Sequence, residues 1–304
     1  MAHQITIIVW LLGCPGLKSV GVDIGRLGVW SVGIRQVADP AVARAAADLE
    51  QSGFGAIWYS AGSGNKGFDI GEQLLAATTS ITVATGITSI WATTAQQSAE
   101  GVARLERAAP RRFLLGLGVS HEPMVNGSGQ GTYQHPLATM KKYLAALDVP
   151  RDRRILAALG PKMLELAASE SLGAHPYLVT PAMTAAIRAA LPDGTTVAVE
   201  QGAVLSSDAC TARAIARANL KSYLALPNYI NNWLRHGYEL ADVAEGGSDR
   251  LVDDLVVWGD AGTIAARVHE HYAAGADHVC IQVFDHDPRA LPVDAWRDIA
   301  SEIL

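Results

Sequence analysis

Hydrophobic positions along this chain alternate between two periods. Short runs such as Leu27–Ser31, Ala56–Tyr59, Ile81–Ile87 and Phe113–Leu117 are almost continuously apolar, the pattern of strands buried on both faces. Between them lie segments whose apolar residues recur three and four apart, which puts them on one face of a helix. Pro40–Gln51, Ile70–Thr79 and Gln96–Ala108 read this way, the first capped by Asp39 and stopped near Gly53. The alternation continues through the strands Ile155–Leu159, Ala174–Val179, Thr196–Leu205 and Val279–Val283. The helices Pro136–Leu147, Pro161–Ser171, Pro181–Leu191, Asp208–Leu224 and Ala261–Ala274 are interleaved with them. Three of these helices open on Pro, whose missing N–H had no intrahelical partner in a first turn.

Eight strands alternating with helices predict an α/β fold in which a parallel sheet closes into a single TIM-type (β/α) eight-stranded barrel. An open doubly wound sheet is the rival, disfavoured by the strand count and by the lack of a GxGxxG after the first strand. A Gly-, Ser- and Asn-rich segment after the fourth strand and the interrupted helical segments of residues 227–258 after the seventh read as insertions. Residues 25–304 are expected to form the barrel and residues 1–24 an N-terminal extension. The extension contains the apolar run "ITIIVWLLGC", but no Lys or Arg precedes it, and it is shorter than the ~20 residues a bilayer span needs.

Composition narrows the function. With 304 residues, 49% of them hydrophobic, the chain can bury a large core. A net charge of −6 and no run of Lys or Arg argue against a nucleic-acid partner. Three cysteines without paired spacing fit a reducing, cytoplasmic setting and no disulfide framework. No HExxH or comparable ligand spacing supports a metal site.

Barrel enzymes place their chemistry at the C-terminal ends of the strands. At these tips the chain offers "TGITSIWATTAQ" (85–96), "GLGVSHEPMVNG" (116–127), "LGPKM" (159–163) and "GAHPYLVTP" (173–181). Glu200 and Gln201 form a polar pair inside the seventh strand, and Gln282, Asp285 and His286 follow the eighth. "LGPKM" leaves a helix N-terminus bare and electropositive, which reads either as a tight strand–helix turn or as a phosphate seat. His121 and His175 are the candidate proton-handling groups. Trp30, Trp58, Trp91, Tyr177 and Tyr229 divide between an aromatic pocket and the core, and Tyr229, Asn231 and Asn232 read as a lid or as a surface connection. With no close carboxylate pair and no Ser-His-Asp signature, the set suits a large planar cofactor that carries its own chemistry.

"ITVATGITSIWATTAQQSAEGVARLERAAPRRFLLGLGVSHEP", "LAALGPKMLELAA" and "GAHPYLVTP" together resemble the luciferase-like monooxygenase superfamily. Within it they resemble the actinobacterial oxidoreductases that use the deazaflavin coenzyme F420, over roughly residues 25–295. The resemblance implies an enzyme that transfers hydride between F420 and a small organic substrate. It also implies a possible homodimer, with neither nucleic acid nor membrane as partner. A non-prolyl cis peptide, matched here to Ser89–Ile90, would back the coenzyme ring, and Val119, Ser120 and His121 would border it. The amides of Gly160, Pro161, Lys162 and Met163 would hold its phosphate. The family's tip-two histidine is missing from "WYSAGSGNKGFD", so His121 or His175 stands in as donor, or substrate or water does. The alternatives are an FMN-dependent monooxygenase of the same fold and a non-catalytic cofactor-binding homologue.

Overall fold

The computed structural model describes residues 21–35, 39–62, 64–129 and 131–304. Ten parallel strands are β1 (Leu27–Ser31), β2 (Ala56–Tyr59), β3 (Thr82–Thr85), β4 (Thr88–Ser89), β5 (Phe113–Gly118), β6 (Arg154–Leu156), β7 (Gly173–Ala174), β8 (Thr196–Leu205), β9 (Val256–Gly259) and β10 (His278–Val283). Neighbours run β10-β1-β2-β3-β5-β6-β7-β8, and β10 also pairs with β8, with Cys280 opposite Glu200. That second pairing closes an eight-stranded barrel. The remaining two strands are additions: β4 lies on β5, and β9 lies along the far end of β8, with Val256 opposite Gly202.

The helices fall where the periodicity puts them, shifted by a few residues at their ends. Lys66–Ala76, Ala95–Ala108, Pro136–Ala146, Pro161–Glu170, Pro181–Ala190, Ala209–Leu220 and Ala261–Ala273 surround the barrel. Their start signals are local. Thr94 accepts from Gln97 N–H while the Gln97 side chain accepts from Thr94 N–H, and Asp208 and Asp260 cap their helices through Thr211 and Thr263. At the other end of the helix Asp39–Gln51, Glu50 accepts hydrogen bonds from Thr79, Ser80 and Ile81. Burial pushes the Glu50 carboxyl up, and those bonds outweigh it and bring it down to about 2.

Strands buried on both faces need two cores, and the chain supplies them. Between sheet and helices packs one apolar layer that includes Leu27, Val29, Ile57, Val83, Phe113 and Leu115. Inside the barrel packs a second cluster of Trp30, Trp58, Ala84, Leu114, Ile155 and Cys280. Val22 and Ile24 are buried in that inner cluster. The rest of the expected extension lies outside the described residues.

One expected strand is much shorter. Ala174–Val179 is reduced to β7, Gly173–Ala174. His175 N–H still donates to Leu156 O, but Pro176 has no N–H and Leu178 has φ +55°, so the chain turns towards the barrel mouth. Among the described residues no helix is long and apolar enough to cross a membrane, and no cluster of His, Cys, Asp and Glu could hold a metal.

Candidate functional site

The barrel interior is filled in layers. The lower one holds Trp58, His175 and His278, all buried. Trp58 Nε1–H donates to His278 Nε2 at 3.0 Å, so His278 carries its proton on Nδ1 and donates it to Gly25 O at 2.9 Å. His175 stacks on Trp58 with ring centroids 4.4 Å apart, and its Nδ1–H donates to Ala198 O at 2.7 Å. Burial brings both imidazoles down to about 4. His175, expected at the mouth, is thus a neutral ring inside the barrel, and its Nε2 has no protein partner.

Above it, Trp30, Tyr177, Glu200 and Gln282 form the floor of the mouth. Tyr177 O–H donates to Gln282 Oε1 at 2.8 Å, and the Trp30 and Tyr177 rings lie 5.8 Å apart. Glu200 is fully buried; its Oε2 accepts from Leu178 N–H at 3.2 Å, and Oε1 has no partner. Burial pushes this carboxyl up to about 8, the Leu178 bond offsetting part of the effect. Strand alternation separates the unexpected polar pair: Glu200 faces in, whereas Gln201 binds Gly202 O, Leu255 O and His271 outside the barrel.

The wall departs from expectation. The cis peptide is Gly86–Ile87, not Ser89–Ile90. Ser89 is paired with Gly118 in the β4–β5 ladder, Ile90 N–H donates to Gly118 O at 3.2 Å, and the Ile90 side chain is buried in the outer core. Both residues are therefore committed to the sheet. At Gly86, by contrast, a Cβ would come within 2.3 Å of Trp30 Nε1, and at Gly118 it would meet Ile87 at 2.7 Å. Bare backbone is required at both positions. Val119 O accepts from Trp91 Nε1 at 2.7 Å, and Ser120 follows with φ +53°, which turns the loop so that His121 is half-buried.

An aromatic cover completes the mouth. The His121 ring lies 5.5 Å from Tyr229, Tyr223 and Tyr229 are 5.2 Å apart, and Tyr223 O–H donates to Tyr177 at 3.4 Å. Burial lowers the His121 pKa, and a hydrogen bond with Asn228 pulls the other way. Of the aromatic candidates, Trp30, Tyr177 and Tyr229 reach the mouth, Trp58 lies beneath it, and Trp91 packs against Tyr133 on the wall. Tyr223 and Asn228 escaped the sequence reading because no local period ties the segment after the helix Ala209–Leu220 to the barrel.

The opening of the helix Pro161–Glu170 is as bare as the sequence suggests. Gly160 makes no side-chain cap, and Pro161 and Lys162 are exposed. Met163 N–H already donates to Gly160 O at 3.0 Å and Pro161 has none, so an anion could draw on the N–H groups of Gly160 and Lys162. A Cβ at Gly160 would meet no atom within 4 Å. Open space surrounds the turn.

A parallel eight-stranded barrel with its polar groups at the strand tips defines a class, and comparisons with known proteins narrow it. Residues 28–149 match the sequence family of luciferase-like monooxygenases. No curated protein matches the chain. An F420-dependent secondary alcohol dehydrogenase, solved with an F420–acetone adduct, superposes with a TM-score of 0.65 at 15% identity, over 92% of this chain and 98% of that one. The coenzyme F420-dependent tetrahydromethanopterin reductase of Methanopyrus kandleri gives 0.71 at 14%, over 92% and 98%. The oxygenating component of 3,6-diketocamphane monooxygenase from Pseudomonas putida, solved with FMN, gives 0.62 at 14%, over 92% and 99%. The resemblance to luciferase-like monooxygenases and the barrel are borne out. The neighbours include both F420 and flavin proteins.

Proposed function

We propose that the chain is a coenzyme F420-dependent oxidoreductase that holds the deazaflavin in the barrel mouth and acts on a small organic substrate. One observation carries this reading. Trp30 Nε1, Thr88 Oγ1 and Glu200 Oε1 are buried without protein partners, and bare backbone at Gly86 and Gly118 makes room for the Trp30 and Ile87 side chains. Buried polar atoms cost free energy unless something satisfies them. A planar heteroaromatic ring with polar edges fits such a set. The resemblance quoted from the sequence favours the deazaflavin over FMN.

When bound, the coenzyme supplies the hydride chemistry. The backbone from Gly86 to Ile87 and at Gly118 would orient the ring, with Val119 and Ser120 along one edge and the amides of Gly160 and Lys162 on the phosphate. His121, neutral near pH 7, would hold a hydrogen bond at the edge of the mouth, and Tyr223 and Tyr229 would exclude water. A cytoplasmic homodimer is the setting that goes with this reading.

Equilibrium titration with F420 and FMN tests it. F420 should bind at micromolar Kd or tighter and about tenfold better than FMN, a difference of about 1.4 kcal/mol. Equal or tighter FMN binding would replace this reading with the FMN-dependent monooxygenase.

A further inference from the structure

A recess of about 300 Å³, its opening included, lies where the tips of β1 and β10 meet the helix Ala209–Leu220. Ser31, Gln282, Asn219, Asp285 and Asp287 are its polar lining. Burial orders them by depth. Gln282 and Ser31 are buried, at 7% and 5% exposure, Asn219 is half-buried, and both aspartates are exposed. The hydrogen bonds decide which atoms are left over. Tyr223 O–H donates to Tyr177, and Tyr177 donates its own hydrogen to Gln282 Oε1 at 2.8 Å. Nε2 is therefore the free end of the Gln282 amide, and neither it nor the Ser31 hydroxyl bonds to another described residue. Asn219 Nδ2–H donates to Ile215 O at 2.9 Å, which leaves Oδ1 open. Asp285 uses Oδ1 alone, to accept from Asp287 N–H at 3.2 Å. Unfilled donors thus lie at the floor and unfilled acceptors at the rim. Buried donors without partners are costly unless a ligand or water meets them.

We propose that this recess seats the carboxamide group of a small ligand, with its C=O toward Gln282 and Ser31 and its N–H toward Asn219 and Asp285. The seat goes beyond the coenzyme reading and does not depend on it. A carboxamide carries its acceptor and its donors on separate atoms. That matches donors and acceptors set at different depths. A carboxylate would bring only acceptors, and among the described residues no Lys or Arg lines the recess to offset the two aspartates. An ammonium group would bring only donors to the Gln282 N–H, and the aspartates that could attract it are exposed, where water and salt screen them. A hydroxyl has one oxygen for both tasks and cannot reach floor and rim together. Gln282 also joins the recess to the mouth, because its other end holds Tyr177. A ligand seated here therefore lies beside the strand tips where barrel enzymes work.

Acetamide serves as the probe, titrated into the full-length, isotopically labelled protein without F420. NMR follows the Gln282 side-chain amide and the backbone amides of Ser31 and Val283, which line the recess. In the wild type these signals should shift together and saturate, with a millimolar Kd as expected for so few heavy atoms. N,N-dimethylacetamide has no N–H, and acetate and methylammonium carry charge. Each should bind about three- to tenfold more weakly than acetamide. Gln282→Glu keeps an acceptor for Tyr177 and removes the floor N–H, so it should weaken acetamide about tenfold. Asn219→Leu removes the rim acceptor and should weaken acetamide about three- to tenfold while leaving dimethylacetamide unchanged. Absence of a saturable shift, equal Kd for acetamide and dimethylacetamide, or tighter binding of acetate or methylammonium would overturn the seat. So would acetamide binding that both variants leave as it is in the wild type. If Gln282→Glu does not fold, Asn219→Leu and the probe series decide.

Discussion

His121 shows how a single side chain changes meaning once its surroundings are known. From sequence it is a histidine in a Gly-rich loop, equally fit to be a solvated residue or a general acid. In the structure burial lowers its pKa, Tyr229 covers one side and Asn228 holds it by a hydrogen bond. A neutral imidazole donates one hydrogen bond and accepts another but is a poor proton source at pH 7. Its expected contribution is therefore to orient a ligand at the rim, with Glu200 as the protonated group beneath. His121→Ala should leave F420 affinity within about threefold, one modest hydrogen bond at most. It should lower turnover on the order of 10²-fold if the ring positions the reacting groups. Unchanged turnover would return His121 to a plain loop residue. His175 teaches the reverse lesson. "GAHPY" suggested a tip residue, yet Pro176 and the positive φ of Leu178 place Tyr177 at the mouth and leave His175 inside the barrel.

Whole elements were more legible than the turns between them. Burial on two faces makes each barrel strand an apolar run, and the helices carry their caps in the sequence, as at Thr94, Asp208 and Asp260. The added strands were not legible. Thr88–Ser89 is too short for any period to show, and Val256–Gly259 follows a helix without a turn signal. The cis peptide lies three residues before the pair the resemblance matches, because "GITSI" offers two similar pairs, Gly86–Ile87 and Ser89–Ile90. What separates them is a contact between Gly86 and Trp30, far earlier in the chain, which no local pattern carries. The start of the helix Pro161–Glu170 is the element whose function the sequence read most directly, and its open surroundings make it testable. Gly160 has φ −87°, and a Cβ there meets nothing, so Gly160→Val should fold like the wild type. If the amides of Gly160 and Lys162 hold a phosphate, the branched side chain should block it. The variant should lose most of its preference for F420 over the phosphate-free deazaflavin precursor, and Lys162→Ala should lose less, since an exposed charge contact is screened. Equal weakening of both ligands would mean that Gly160 serves the ring site or the fold.

At the scale of the molecule, the filled barrel ties stability to pH through groups that only burial could have revealed. His175 and His278 inside the barrel are brought down to about 4, and His271, packed outside it against Thr184 and Gln201, to about 3. An unfolded chain protonates such rings near the ordinary value of 6.5. Between about pH 6.5 and 4 the unfolded state therefore binds protons that the native state refuses, and stability falls as pH drops. Their contribution is complete above 6.5 and levels off once the native rings protonate. Glu200 runs in the opposite sense. Its carboxyl is raised from 4.5 to about 8, so the native state holds a proton that the unfolded chain releases. That contribution is present below 4.5 and is lost as pH rises through 8. Together these four groups predict urea-unfolding midpoints that peak near pH 6.5 and decline toward pH 8. Glu200→Gln keeps the Leu178 bond and removes the titration. It should leave the acid limb intact, flatten the alkaline one, and exceed the wild type at pH 8 on the order of 2–4 kcal/mol. A variant whose midpoints decline between pH 6.5 and 8 as steeply as the wild type's would show that Glu200 is not the group held protonated in the barrel.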